Sequence, residues 1–429
     1  MRDRSARRIV ASPDETESPD DVAVPTLERP ADGVPPVTDT PEAYRSAHDA
    51  LVAGHGPLAL DTERAHGFRY APKAYLIQLR RAGAGTVLLD PVAFEDGRPR
   101  ADLSGLAADL AGAEWIIHAA TQDLPCLAEV GLLPTHLFDT ELAARLLGLP
   151  KVNLSTVMEQ ALGVGLRKAH SADDWSTRPL PADWLVYAAL DVELLIDLRD
   201  WLDDQLVSAG KRDWAAQEFA HLVEHASDVP RLRTESWRRT SGLHEVRSRR
   251  GMEVVRDLWE SRDAIAAATD RAPGRILPDR AIVGVATLFD KDEPEVTPAL
   301  LRRVPSFGMR RAAAYEKEWL DALRRAADRP KPDLPVKSSP REGPPPPRVW
   351  NGRWPDSYAR WNRVRPALIA LAEEVNVPIE NVIAPDALRG LLWNSPARTS
   401  AAEVDARLAA FDVRPWQRDL VVGVIVANW

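Results

Sequence analysis

The chain has a single cysteine in 429 residues, Cys126. No intrachain disulfide can form, so neither a disulfide-stapled scaffold nor the oxidising compartment that such scaffolds occupy fits the sequence. No run of 18 apolar residues occurs, and the basic start MRDRSARRIV leads into ASPDETESPDD instead of an apolar stretch. Neither a membrane-spanning helix nor a secretory leader is therefore expected, and the chain reads as soluble and cytoplasmic with no membrane partner. Phosphate-cradling signatures are missing too. GAGTV from residue 83 and GVG from 163 fall short of a full GxGxxG, and no Walker A sequence occurs.

What is plentiful is carboxylate, unevenly spread. Residues 1 to 230 carry 21 Lys and Arg against 37 Asp and Glu, whereas residues 231 to 330 carry 21 against 16. An acidic front and a basic middle suit a protein that binds metal ions in one place and phosphates in another, although unequal surface charge between domains produces the same numbers.

At this length two or three domains are expected. Residues 1 to about 40 are rich in Pro, Asp and Glu and nearly without aromatics, the composition of a disordered segment. Residues 41 to 225 read as an α/β domain, with strand-like runs at 58–63, 74–80, 86–90 and 115–120 and helices starting near 103, 123, 139, 153 and 182. Residues 231 to 328 are helical throughout. An amphipathic helix is expected over Glu245 to Ala268, a break at RAPGRILPD, a helix opened by Pro278 and Asp279, and a last helix from about Met309 to Ala327. Residues 330 to 349 form a proline-rich, semi-rigid linker, and 350 to 429 a smaller Trp-containing helical unit.

Five residues of the front half stand out. Asp61 and Glu63 follow the strand-like Leu58, Ala59, Leu60, and residues two apart share a strand face, so both carboxylates can meet one cation. Tyr187 and Asp191, four apart in a helical pattern, put a phenol above a carboxylate. Asp123 opens a short apolar helix just after WIIHAA, the usual place for a site residue at the end of a sheet strand. Taken singly, Asp123 reads as a helix cap and Tyr187 as core packing. Jointly, four carboxylates on three elements suffice for two divalent ions.

This set resembles the DEDD superfamily of 3′-5′ exonucleases, tyrosine subtype, and within it the ribonuclease D family. The stretches LALDTERA, AYLIQL, VLLDP, IIHAATQDLPCL, FDTELAARLLG and DWSTRPLPADWLVYAALDVELL occur in the family's order. The segment RSRRGMEVVRDLWESRD with the ILPD helix start resembles the helicase-and-RNase-D C-terminal (HRDC) domain, and residues 350 to 429 sit where relatives carry a second HRDC-like unit. Gln122 departs from the pattern, since many relatives have an acidic residue there that is not a metal ligand.

The resemblance implies a ribonuclease H-like α/β exonuclease domain with a mixed sheet, followed by all-α HRDC-type domains. It implies that Asp61, Glu63 and Asp191 hold one ion, that Asp61 bridges to a second, and that Asp123 completes that side through water. Mg²⁺ or Mn²⁺ suits such an oxygen-only set. Tyr187 would position the attacking water. The implied substrate is RNA with a single-stranded 3′ end, tRNA precursors among them, shortened by release of nucleoside 5′-monophosphates. A DNA-directed exonuclease of the same superfamily and an inactive nucleic-acid-binding adaptor are the alternatives.

Further substrate contacts are expected from Lys168, Trp175 and Arg178 before the third motif, and from Thr62 and His118 along the groove. Arg247, Arg249 and Arg250, with Arg302, Arg303, Arg310 and Arg311, would grip phosphate from the basic middle domain. Trp175 reads equally as core packing, and for His118 the packed-core reading is the favoured one. A rival motif, HLVEH at residues 221 to 225, fits the HxxEH pattern of inverted zinc peptidases, but no downstream pattern supplies its further carboxylate ligand. The favoured reading is a solvated helix between domains.

Overall fold

The computed structural model describes residues 24–166, 170, 172–228, 235–290, 294–336 and 343–429. Short strands β1 (Thr26–Leu27) and β2 (Val37–Thr38) precede helix α1 (Pro41–Ala53). Strands β3 (His55–Arg64), β4 (Ala74–Ala82) and β5 (Gly85–Leu89) follow. Then come α2 (Ser104–Asp109), β6 (Glu114–Ile117), α3 (Leu124–Glu129), β7 (His136–Asp139), α4 (Thr140–Leu146), α5 (Leu154–Leu162) and β8 (Gly165–Leu166). Helices α6 (Ala182–Glu193), α7 (Leu195–Ser208) and α8 (Arg212–Glu224) complete this part.

The main sheet runs β2-β5-β4-β3-β6-β7. It is mixed: β3 is antiparallel to β4 and parallel to β6. Leu58, Ala59 and Leu60 are all fully buried, as expected of a central strand covered on both faces. Leu58 and Leu60 pack toward Trp115, Leu124 and Leu127, and Ala59 toward Val192, Leu195 and Leu198 of the opposite layer. That alternation sends Asp61 and Glu63 to the side of α6, and Thr62 to the side of α3.

Residues 24–40 correct the expectation of a structureless segment reaching to 40. Thr26 and Leu27 pair with Gly165 and Leu166, and Val37 and Thr38 extend the main sheet beside Leu88 and Leu89. Two-residue strands carry almost no local pattern, and only the partner makes them strands.

The middle region is helical: α9 (Arg249–Thr269), α10 (Pro273–Ile276), α11 (Asp279–Ala286), α12 (Pro298–Arg302), α13 (Arg310–Ala313) and α14 (Glu316–Asp328). It has its own core, in which Val255, Leu258, Ile282, Trp319 and Leu323 meet. Helix α9 starts later than Glu245 because the Ser248 hydroxyl caps it, accepting from Gly251 N. The expected helix from Met309 is split into α13 and α14. The region docks on the sheet domain through Asp270, in left-handed conformation at the end of α9, whose carboxylate accepts from the backbone N–H groups of Tyr70 and Ala71.

The last unit comprises α15 (Trp350–Arg353), α16 (Pro355–Glu374), α17 (Ile379–Val382), α18 (Pro385–Leu392), α19 (Ala401–Ala410) and α20 (Pro415–Ala427). Its apolar residues Val364, Leu368, Leu391 and Val421 join one continuous core with Phe138, Leu206 and Phe219. The rings of Trp214 and Trp416 stack at 4.8 Å, and Lys211 Nζ donates to both Leu146 O and Asn376 O. No helix among the described residues is long and apolar enough to cross a membrane.

Candidate metal centre

Carboxylate oxygens of Asp61, Glu63 and Asp191 lie within 4.8 Å of one another. Glu63, Asp123 and Asp191 are buried and Asp61 is half-buried. Such a group of buried acids is costly without a cation to offset it. Burial, then Asp123 and Asp191, push the Asp61 carboxyl well above its usual range, and burial followed by Asp61 does the same to Glu63. Burial raises Asp191 to about 7 and Asp123 to about 6. Among the described residues Arg64 supplies positive charge here: its guanidinium stands 4.0 Å from Asp123 Oδ1 and donates to Gln122 O. One arginine does not balance four acids, and an all-oxygen donor set matches a hard divalent cation. The residues fit the implied metal.

Asp123 stands to one side of the three-acid cluster. Thr62 Oγ1 donates to its Oδ1 at 2.5 Å, across from α3 to β3. Its turn begins at Ala119, a left-handed residue, and is held by Asp139, whose carboxylate accepts from Ala119 N at 3.1 Å and Ala120 N at 2.8 Å. The same carboxylate caps α4 through Glu141 N and Leu142 N. Gln78, opposite Asp61 on β4, points an amide at Glu63 Oε1 from 3.5 Å.

Tyr187 stands one helical turn before Asp191 on α6, so its hydroxyl and that carboxylate interact. Burial and then the charges of Asp191, Glu63 and Asp61 hold the phenol far above its ordinary value. It stays protonated at neutral pH and acts as a hydrogen-bond donor. Its ring is backed by Trp175 at 6.3 Å and by the edge of His170 at 6.0 Å, and His170 is itself held by Asp173 at 2.7 Å.

Several expected substrate contacts are corrected. Trp175 is 0% exposed and donates Nε1 to His170 O, so it packs behind Tyr187 and offers no face to a base. Arg178 is spent on structure: Nε and Nη2 meet both oxygens of Asp90, and further donors meet the carbonyls of Trp175 and Tyr75. His118 Nδ1 lies 2.9 Å from Thr140 Oγ1, and burial lowers its pKa to about 4, the state of a neutral, packed histidine. Thr62 is buried and serves Asp123. Arg249 donates to the carbonyls of Pro332, Leu334 and Pro335, and Arg250 to those of Ala326 and Arg329, so both tie α9 to the chain after α14. Only Arg247 of that trio is exposed with its side chain unengaged by these carbonyls. Lys168 lies outside the described residues.

The cations that do face an open cleft are others. Phe68, Arg69 and Asp174 of the sheet domain and Arg271, Arg275 and Arg311 of the helical region line a cavity of about 260 Å³. Arg275 stacks over the Phe68 ring at 3.9 Å and donates to Gly67 O, while Arg271 and Arg311 are exposed. A neighbouring cleft adds Arg280 and Arg310. RAPGRILPD carried this signal, but only the packing of Ala272 and Arg275 against Phe68 brings it to the sheet domain. An apolar cleft of about 500 Å³ between β7, α7 and α8 contains none of the clustered acids.

Residues 38–207 match the model of a 3′-5′ exonuclease family, 252–323 that of the HRDC domain, and 343–428 that of a 3′ to 5′ exonuclease C-terminal domain. The ribonuclease D of Gluconacetobacter diazotrophicus is 32% identical over 299 residues, covering 67% of this chain and 71% of that one. That of Acidiphilium cryptum is 32% identical over 272 residues, 61% of this chain, and the match spans just under two thirds of that relative, 66%. A solved protein from Bifidobacterium adolescentis superposes with a TM-score of 0.86 at 37% identity, covering 94% of this chain and 99% of that one. Escherichia coli RNase D shares the fold, with a TM-score of 0.65 at 22% identity over 92% and 98% of the two chains. With a mixed-sheet exonuclease domain and an HRDC region in the same order, the chain belongs to the ribonuclease D family.

Proposed function

We propose that this protein is a metal-dependent 3′-5′ exoribonuclease that removes nucleoside 5′-monophosphates from RNA 3′ ends. The observation that carries the reading is the convergence of Asp61, Glu63 and Asp191 within 4.8 Å, with Tyr187 one helical turn before Asp191. Asp61, Glu63 and Asp191 would hold the divalent cation, and Asp123, steadied by Thr62, would complete the site on the side of α3. Two ions, Mg²⁺ or Mn²⁺, would supply charge stabilisation to the attacking and leaving oxygens of a phosphodiester displacement. The protonated Tyr187 cannot serve as base at neutral pH and instead orients the attacking water by hydrogen bonding.

The substrate strand approaches past the arginine-lined cleft between Phe68 and α10. Arg271, Arg310 and Arg311 supply phosphate neutralisation there, and the HRDC region thereby favours an RNA that carries a structured body behind a single-stranded 3′ tail, as tRNA precursors do. The reaction takes place in the cytoplasm. Escherichia coli RNase D is described as an exoribonuclease involved in structured RNA processing, which agrees with this substrate class. Matched single-stranded RNA and DNA with labelled 5′ ends, incubated with the purified protein and Mg²⁺ or Mn²⁺, test the reading. Stepwise shortening of RNA from the 3′ end is expected, and preferential shortening of DNA would favour the DNA-directed alternative.

A further inference from the structure

The segment HLVEH places His221 and His225 four residues apart at the end of α8, on one face of the helix. Their rings lie 4.2 Å apart. A carboxylate meets them from 187 positions further along the chain. Asp412 Oδ2 is 3.5 Å from His221 Nε2 and 3.8 Å from His225 Nε2, and the three ligand atoms lie within 4.8 Å of one another. These gaps are too long for good direct hydrogen bonds. They are close to the spacing of ligand atoms around a tetrahedral zinc ion, about 3.4 Å for bonds of roughly 2.0–2.2 Å.

The orientation is also that of ligands. Nδ1 of His225 is 2.9 Å from the His221 carbonyl oxygen and donates to it, which fixes the tautomer with a lone pair on Nε2, the nitrogen that faces Asp412. Asp412 is held in place by other bonds. It is left-handed, φ 60°, just after α19, its N–H donates to Ala409 O, and its own carbonyl accepts from Arg414 Nη1. Arg414 Nε in turn donates to Glu218 Oε1 on α8 at 2.8 Å, and Trp416 Nε1 reaches the same oxygen at 2.8 Å. The carboxylate is thus anchored over the histidine pair by contacts that do not use it, and its side chain stays 64% exposed, with room for a cation and a completing water.

We propose that His221, His225 and Asp412 form a second metal site, for Zn²⁺ or a transition-metal ion of similar preference, which fastens the C-terminal unit to helix α8. The site is independent of the acidic centre. Its two imidazoles and one carboxylate select a borderline cation, where the oxygen-only centre selects Mg²⁺ or Mn²⁺. The expected role is a clip between two units that already share a core, so occupancy stabilises the folded protein.

The full-length protein, free of any histidine tag, is titrated with Co²⁺ and Zn²⁺ and read by visible absorption, by bound-metal stoichiometry and by thermal unfolding. Wild type should take, besides ions at the acidic centre, one Co²⁺ with the absorption of a four-coordinate site, Zn²⁺ should displace it, and Zn²⁺ should raise the unfolding temperature. Asp61→Asn with Asp191→Asn should keep this signal. His221→Gln with His225→Gln should lose it, and Asp412→Asn should weaken binding by about tenfold or more. Circular dichroism and Mg²⁺-supported activity of the surface variants establish that they fold. Equal Zn²⁺ affinity in the wild type and the double-glutamine variant, or no Co²⁺ absorption in the wild type, would overturn the site.

Discussion

The Thr62 hydroxyl donates to Asp123 across 2.5 Å, tying the strand that carries Asp61 and Glu63 to the turn that carries Asp123. Replacing Thr62 by Val keeps the shape but removes the donor. The expected cost is about 1–2 kcal/mol of stability, the usual range for stranding one partner of a buried hydrogen bond. Activity should fall together with divalent-cation affinity, and Thr62→Ser should restore both. Metal titrations and denaturant unfolding of the two variants check this, and a Val variant with wild-type metal affinity would contradict it.

Tyr187→Phe separates water orientation from charge. The ring still packs on Trp175, so folding and RNA affinity should stay near wild type, while single-turnover cleavage drops by about 10²-fold or more. Filter binding and rapid-quench rates on the same 3′-tailed RNA are the measurement. A variant weakened chiefly in RNA binding would count against the assigned role.

The acidic centre should make stability depend on pH in the sense opposite to a salt-bridged acid. Burial raises the folded pKa of Asp191 to about 7 and of Asp123 to about 6, above the unfolded values. The folded protein therefore binds more protons than the unfolded chain between about pH 4 and 7. Stability contributed by these groups is present below pH 4 and lost as pH rises toward 7. Without divalent metal, the unfolding temperature should fall as pH is raised from 5 to 7.5, by about 1 °C for each kcal/mol lost in a chain of this length. Mg²⁺ or Mn²⁺ should restore more at pH 7.5 than at pH 5. Differential scanning calorimetry with and without chelator decides it, and metal stabilisation that is no larger at pH 7.5 than at pH 5 would be contrary.

Arg271 and Arg311 are exposed along the cleft that faces Phe68 and Arg69, and Arg310 along the neighbouring one. Their joint replacement by Ala should weaken binding of a structured RNA and flatten its salt dependence by roughly 0.7–0.9 log units per lost phosphate contact. Cleavage of a short oligonucleotide should change little. Arg249→Ala with Arg250→Ala should instead lower thermal stability, because those side chains hold carbonyls of residues 326–335. An unchanged salt slope in the triple variant would place the RNA elsewhere.

The acidic centre was legible because its geometry is local. Period two on β3 puts Asp61 and Glu63 on one face, and period 3.6 on α6 puts Tyr187 above Asp191. The mixed α/β domain and the helical region behind it were legible for the same reason. What the pattern left undetermined depends on distant partners. A phosphate and the Asp90 carboxylate make the same demand on Arg178, so nothing in DWSTRPL distinguishes them. Arg249 and Arg250 meet carbonyls more than 75 positions away. β1 and β2 are strands only because Gly165 and Leu88 lie beside them. Asp412 has no motif, and only the packing of α20 on α8 brings it to His221.

The most direct test of the acidic centre follows the fate of a 5′-labelled RNA with a 3′ tail, in Mg²⁺ or Mn²⁺, with wild type, Asp61→Asn, Asp123→Asn, Asp191→Asn and the Asp61→Asn, Asp191→Asn double variant. Loss of one negative ligand weakens a hard cation whose charge the displacement requires. Each single variant should fold and lose nucleotide release by about 10³-fold or more, and the double variant should be little worse than either single change, as for residues that act as a unit. Wild type should yield a ladder shortened from the 3′ end with free nucleoside 5′-monophosphate, abolished by chelator. A folded double variant that still releases mononucleotides at near wild-type rate would contradict the assignment of the reaction to Asp61, Glu63 and Asp191.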